Sequence, residues 1–208
     1  MRALGCDFAH EGKTVAWGHE VLTPMFGRPE GLLGRLGGVI MSRVNRDAAA
    51  QVIELLDIRP DDTVLEIGFG PGVGIQLLLE RIASGRVAGV DQSREMVGQA
   101  TARNAGALRN RRADLRCGSA ENLPFADETF DKALAINSMQ AWSDAGAGLR
   151  ETWRVLKPGG KVALCFTVNS GQSKDAVAGS LARAGFAQER MVDGTKLFCA
   201  MGTKRSPL

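Results

Sequence analysis

TVLEIGFGPGVG, residues 63–74, is the stretch whose reading decides the fold. Val64, Leu65 and Ile67 form a short apolar run without polar alternation, the pattern of a strand buried on both faces of a parallel sheet. Gly68, Gly70, Gly72 and Gly74 then fall on alternate residues, and Leu77, Leu78 and Ile82 continue with helical spacing from Ile75 to Ile82. A strand, a glycine loop and a helix in succession let a ligand lie against bare backbone. A Cβ there would block close approach, and such turns often need positive φ.

The glycine spacing narrows the ligand. A dinucleotide fingerprint needs glycines at offsets 0, 2 and 5. Counting from Gly68 the third position is Val73, and from Gly70 it is Ile75, so both fail. The Gly-Lys-Ser/Thr ending of a phosphate-binding P-loop is absent as well. What stands here is Glu-x-Gly-x-Gly-x-Gly with the acid, Glu66, inside the strand. This resembles the first motif of class I methyltransferases that use S-adenosyl-L-methionine (SAM). An acid about 20 to 25 residues downstream, Asp91, stands at the usual distance for a ribose contact.

Further motifs extend the resemblance. VAGVDQSREMV, from Val87 to Val97, is similar to the second family motif, with Asp91 ending a strand where its carboxylate can accept from both ribose hydroxyls. A helix-capping aspartate is the structural alternative. CGSAENLPFADETFDKALAINS, from Cys117 to Ser138, resembles the third and fourth motifs. In the family an Asp of a Gly-Asp-Ala version contacts the adenine amino group. Ser119 stands in that place, so the adenine contact is either weakened or taken over by the Ala120 backbone or Glu121. LRETWRVLKPGGKVALCF, Leu149 to Phe166, resembles the family's approach to its fifth strand and marks the fold rather than a reactive group; Asp131 reads as structural too. The resemblance covers about residues 44–202. It implies SAM as cofactor, with Glu66, Gly68, Phe69, Gly70 and Gly72 on the loop. Asp91, Gln92 and Met96 follow strand two, Ser119, Ala120 and Glu121 follow strand three, and Asn137 ends strand four.

The nearest subgroup is the type-11-like set of small-molecule methyltransferases, which includes quinone and sterol modifiers. Their loops commonly carry a histidine or tyrosine near the tip of strand four. Here that tip is Asn137-Ser138-Met139-Gln140-Ala141-Trp142, and the chain has no tyrosine. Ligands in open α/β sheets sit outside the carboxyl ends of the strands. Gln140 and Trp142 are therefore expected at the acceptor, with helix packing as the alternative for Trp142. A sulfonium methyl is already activated, so the enzyme must align the acceptor and exclude water. A hydroxyl acceptor gains from a general base. The only histidines are His10 and His19; His19 is the candidate base if it folds over the pocket, and otherwise a surface residue beside Glu20.

Length and composition are those of one globular domain. The chain has 208 residues, 44% hydrophobic and 24% charged, enough to bury a core. A net charge of +3 does not by itself indicate nucleic acid. The group Arg103, Arg109, Arg111, Arg112 and Arg116 is the one feature that would favour RNA, but it falls around the second helix and third strand, away from the predicted pocket, and an exposed solvated edge is the preferred reading. Four cysteines lack a CxxC pair. Cys117, Cys165 and Cys199 lie in apolar strand-like runs and read as buried reduced thiols, which fits a cytoplasmic protein without a metal site. The amino terminus lacks signal-peptide features, and no apolar run approaches about 18 residues, the length a membrane span needs.

Along the chain, residues 1–46 read as an N-terminal helical cover and 47–208 as the SAM-binding domain. Within 27–46, Leu32, Leu33, Leu36 and Ile40 suit a short amphipathic helix roofing the site, and the apolar 27–41 stretch offers a homodimer contact. Asp47–Leu56 is a predicted helix. Strands are predicted over Arg86–Asp91, Ala113–Cys117, Lys132–Asn137 and Lys161–Thr167, the last following a Lys157–Gly160 turn. Helices are predicted from Ser93 to about Ala105, over Asp144–Leu156, and over Ser173–Ala184 before Gly185. Gln188–Val192 and Lys196–Met201 read as strands joined by Asp193-Gly194, and Thr203–Leu208 as a frayed tail. The alternation predicts an α/β, doubly wound, Rossmann-like sheet of seven mostly parallel strands, with one antiparallel strand near the C-terminus. The expected function is SAM-dependent methyl transfer to a small-molecule acceptor. The alternatives are an RNA or protein methyltransferase and a non-catalytic SAM-binding protein.

Overall fold

A computed structural model describes residues 46–168, 170–195 and 197–206. The N-terminal cover, His10, His19 and the 27–41 contact lie outside the described residues. Seven strands form one sheet: β1 (Thr63–Ile67), β2 (Arg86–Asp91), β3 (Ala113–Cys117), β4 (Phe130–Ile136), β5 (Leu156–Thr167), β6 (Phe186–Asp193) and β7 (Leu197–Lys204). Their order is β3, β2, β1, β4, β5, β7, β6. Pairings from β3 through β5 are parallel, and β7 runs antiparallel to both β5 and β6. The expected architecture is present, with β7 as the antiparallel strand.

Among the described residues, six α-helices accompany the sheet: α1 (residues 46–55), α2 (Val73–Arg81), α3 (Arg94–Arg103), α4 (Ala105–Arg109), α5 (Ala145–Val155) and α6 (Lys174–Arg183). Three of them, α3, α5 and α6, start at side-chain caps. Ser93 Oγ accepts from Met96 N at 3.3 Å, Asp144 Oδ1 from Ala147 N at 2.9 Å and Ser173 Oγ from Ala176 N at 3.4 Å. The helix expected to run to about Ala105 instead breaks at Asn104. The buried Asn104 amide donates to Gly72 O at 3.1 Å and to Ala100 O at 3.0 Å, tying the helix end to the glycine loop.

The unalternating apolar run of β1 serves two cores. Val64 packs with Val52 of α1 and Leu56 just after it, with Ile75 and Leu78 of α2 and with Ala100 of α3. Leu65 and Ile67 face the other way, with Leu149 of α5, Leu181 of α6, Phe166 and Phe198. Burying each such side chain contributes roughly 1.5–3 kcal/mol. This double burial fixes β1 in the centre of the sheet, and therefore fixes where its glycine loop emerges.

Further expectations are corrected. Cys165 and Cys199 are not reduced thiols but a disulfide, because β5 and β7 place them directly opposite each other, Cα to Cα 4.1 Å. Cys117 is a free thiol but is exposed at the end of edge strand β3. The tail does not fray at Thr203: β7 continues to Lys204, which is 4% exposed and donates from Nζ to Leu156 O at 2.8 Å. The Lys157–Gly160 turn lies inside the span of β5, as an irregularity where the pairing with β4 shifts register.

Candidate functional site

The chain leaves β1 to build β2 and β3 on one side, then returns to place β4 on the other. Strand order therefore reverses at β1, and the carboxyl ends of β1 and β4 separate into a crevice, the usual ligand position in such sheets. An open cleft occupies it. Its walls come from the ends of four strands: Ile67 and Gly68 after β1, Val90 to Ser93 after β2, Gly118 to Glu121 after β3, and Ile136 to Ser138 after β4. Met96, Ala141 and Trp142 complete it.

The glycine loop is shaped by two close approaches. Gly68 has φ 74°, and a Cβ on it would lie 2.3 Å from Ser138 Cβ, so only glycine lets the β1 end close against the β4 end. Gly74 leaves room for an acid: a Cβ there would meet Glu66 Oε1 at 2.3 Å. Glu66 thus occupies the space that Gly74 leaves open, on the opposite face of the sheet from Leu65. The carboxyl group is buried and its Oε2 has no partner among the described residues. Burial, reinforced by the charge of Asp91, pushes its pKa up to about 8.

Asp91 is the polar centre of the cleft. Its Oδ2 accepts from Gly70 N at 2.8 Å and its Oδ1 from Ser93 N at 2.9 Å. Burial raises its pKa, and those two backbone N–H groups oppose the rise by stabilising the anion. Each oxygen keeps acceptor capacity beyond its one backbone donor. The helix cap of α3 is Ser93 and not Asp91, so the capping alternative does not account for this residue.

At the third strand, Glu121 Oε1 accepts from Asp144 N at 3.0 Å. Burial works against its ionisation, but the N–H of Asp144 and the Ser119 hydroxyl outweigh it, and its pKa is lowered. The described charged residues lining the cleft are therefore carboxylates, Asp91 and Glu121. At the fourth, Asn137 adopts φ 49° and its Oδ1 accepts from Thr167 N at 2.8 Å, which pins the β4 tip to the end of β5. Trp142 sits against Gly148 of α5, where a Cβ would lie 2.5 Å from the indole.

Not every expected site residue joins the cleft. Gly68, Gly70, Asp91, Gln92, Met96, Ser119, Ala120, Glu121, Asn137 and Trp142 line it. Phe69 turns away: it is buried, and its ring packs on Gly89 of β2, where a Cβ would lie 2.5 Å from the ring. Gly72 is the residue before α2, packed on Ala100, and Glu66 lies behind the loop. Gln140 is exposed on a short turn of 3₁₀ helix, outside the lining. Ser138 is a site residue that the motifs did not mark. Its Oγ donates to Ile67 O at 2.6 Å, bridging the two strand ends that open the crevice. A small polar residue facing a glycine across the switch point is the signal that could have identified it. The arginine group lies away from the cleft, and part of it is structural. Arg103 Nε donates to Pro71 O at 2.9 Å, Arg112 donates to Leu79 O at 3.1 Å, and Arg116 Nη2 pairs with Asp114 at 2.6 Å.

Comparison with known proteins agrees with this geometry. The profile of the family described as "Methyltransferase domain" matches residues 65–164, from β1 to within β5. The uncharacterised methyltransferase YdaC of Bacillus subtilis is 30% identical over 158 residues, 76% of this chain and 82% of that protein. A demethylmenaquinone methyltransferase of Corynebacterium kroppenstedtii is 38% identical over 110 residues, 53% of this chain and 44% of that one. Among solved structures, a SAM-dependent methyltransferase from Aquifex aeolicus superposes with a TM-score of 0.69 at 22% identity, covering 75% of this chain and 89% of that one.

Proposed function

This chain belongs to the family of SAM-dependent methyltransferases, and on that premise we propose that it methylates a small-molecule acceptor in the cleft between the β1 and β4 ends. The observation that carries the placement is the Asp91 carboxylate, fixed by Gly70 N and Ser93 N with acceptor capacity to spare on both oxygens. A ribose diol matches that donor requirement. When bound, SAM supplies a methyl group already activated as a sulfonium.

The chain's own residues bind, align and exclude water. Gly68 and Gly70 let the ligand lie against backbone. Met96 and the Ser119–Ala120 backbone bound the adenine end, and Glu121, held by Asp144 N and the Ser119 hydroxyl, is the ionised group beside it. Ser138 and Asn137 fix the β4 tip so that Trp142 and Ile136 present an apolar wall at the transfer end. Alignment of this kind, rather than covalent help, lowers the barrier. Residues 27–46 complete the roof over the acceptor in this reading, and removing residues 1–42 should leave SAM affinity within about tenfold while abolishing turnover.

A small acceptor suits the cleft better than RNA. The described charges lining it are carboxylates, which repel a phosphodiester backbone. Relatives named as acting on demethylmenaquinone point to the same class. The test is transfer of label from methyl-tritiated SAM to a panel of quinols, phenols, thiols and amines, beside total RNA and protein. Label in one class of small molecule is expected. Label in RNA or protein alone would replace the proposed acceptor, and label in nothing would favour a non-catalytic SAM-binding protein.

A further inference from the structure

A second concavity lies at the other end of the same strands. It is lined by the amino ends of β1, β2 and β3, by the turn between α4 and β3, and by the loop 124–130. It shares no lining residue with the cofactor cleft. Along β1 the groove takes Thr63 and the cleft Ile67, about 13 Å apart at ~3.3 Å per residue, while along β2 and β3 the two linings come within two residues of each other, at Ala88 and Val90 and at Arg116 and Gly118.

Parallel sheets ordinarily have both faces covered. Here residues 118–129, which follow β3, form no helix, and Asp114 and Arg116 stand exposed on β3. Left uncovered among the described residues, this ground carries four guanidiniums, those of Arg86, Arg111, Arg112 and Arg116, against the single carboxylate of Asp114. Asp114 is already engaged by Arg116, at 2.6 Å from Nη2 and 3.1 Å from Nε. Arg116 also lies over the Phe125 ring, 4.6 Å from its centroid. The side chains of Arg86 and Arg111 have no polar partner among the described residues and both residues are exposed, and Arg112 Nε is buried without a partner. Between these charges the surface is apolar, from Leu108, Pro124 and Phe125.

We infer that this groove is a second binding site, for a small anion carried on an apolar body, such as an aryl or acyl phosphate or carboxylate. The charge surplus selects an anion, with Arg86 and Arg111 as its donors, and the Leu108–Phe125 surface receives the apolar part. Like charges facing across a two-fold axis repel, so a second copy of the chain does not fit this face. Asp114 in the middle of the groove also disfavours a continuous phosphodiester chain.

The experiment is calorimetric titration of the full chain with naphthyl phosphate, with naphthol as the neutral control, in the presence and absence of saturating S-adenosylhomocysteine. Naphthyl phosphate should bind one per chain, independently of S-adenosylhomocysteine, and at least about tenfold more tightly than naphthol. Arg86→Gln with Arg111→Gln should weaken it at least about tenfold while leaving S-adenosylhomocysteine affinity and melting temperature unchanged. No binding at millimolar probe, binding that the substitutions leave intact, or displacement by S-adenosylhomocysteine would overturn the assignment. So would tighter binding of an RNA oligonucleotide that the same substitutions abolish.

Discussion

The backbone N–H of Gly70 donates to Oδ2 of Asp91 at 2.8 Å, joining the loop after β1 to the last residue of β2. That one bond couples the two features that define the cleft. Gly70 holds φ 53°, a conformation that side chains resist, and Asp91 stabilises it from the neighbouring strand. Loop and carboxylate are therefore set together before any ligand arrives.

Gly70→Val tests the loop. A β-branched residue at this φ costs on the order of 1–3 kcal/mol, and its isopropyl group projects into ground that the cleft uses. The expected outcome is a protein that still folds, with a lowered melting temperature, and binds S-adenosylhomocysteine at least about a hundredfold more weakly. Parent-like affinity in calorimetry would remove the loop from the site.

Glu66 makes the apo protein's stability depend on pH. Its carboxyl is raised from 4.5 to about 8 in the fold. Between those values the native state holds a proton that the unfolded chain has released, so its contribution is complete below about pH 4.5 and is lost as pH rises through about 8. Glu66→Gln removes that titration. Urea unfolding should show the substituted protein gaining on the parent by roughly a few kcal/mol between pH 5 and pH 8. A constant difference across that range would contradict the burial account.

The sequence carried much of this in plain view, for physical reasons. β1, β2 and β3 are central or well-bounded strands, and a run such as Val87 to Val90 has little choice of structure. Asp91 and the alternate glycines were legible because the strand and the loop constrain each other locally. The misreadings concern contacts between distant segments. Phe69 looks like a ligand residue until Gly89, on the next strand, is seen to make room for its ring. The Cys165–Cys199 bond depends on the register of β5 with β7, which a one-residue slip would destroy. Ser138 matters because it faces Ile67 and Gly68 from 71 residues away in the chain. The arginines at the β3 edge read as a loose solvated group, and Arg86 joins them only through the pairing of β2 with β3.

Lys204 tests where the ordered chain ends. Its Nζ donates to Leu156 O at 2.8 Å and stands 4.0 Å from the centre of the Trp153 ring. Lys204→Ala leaves a strand carbonyl without its donor and removes the cation from the indole, a loss of roughly 1–3 kcal/mol. In a domain of this size the melting temperature should drop by about 2–4 °C per kcal/mol. An unchanged melting temperature would return Lys204 to the frayed tail.

Asp91→Asn isolates the contact on which the cofactor assignment rests. Asparagine keeps the size and one oxygen acceptor, but loses the charge and the second acceptor. A charge-assisted hydrogen bond contributes roughly 1.5–3 kcal/mol. Asp91→Ala would strand the N–H groups of both Gly70 and Ser93, whereas Asp91→Asn strands only one of them, so apo melting temperature is recorded beside affinity for the Asn protein. The most direct measurement is calorimetric titration of S-adenosylhomocysteine into the parent and Asp91→Asn proteins under one buffer. The account predicts one site per chain in the parent and an affinity lower by on the order of 10- to 1,000-fold in Asp91→Asn. Equal affinities in the two proteins would contradict it, and would move the cofactor away from the end of β2.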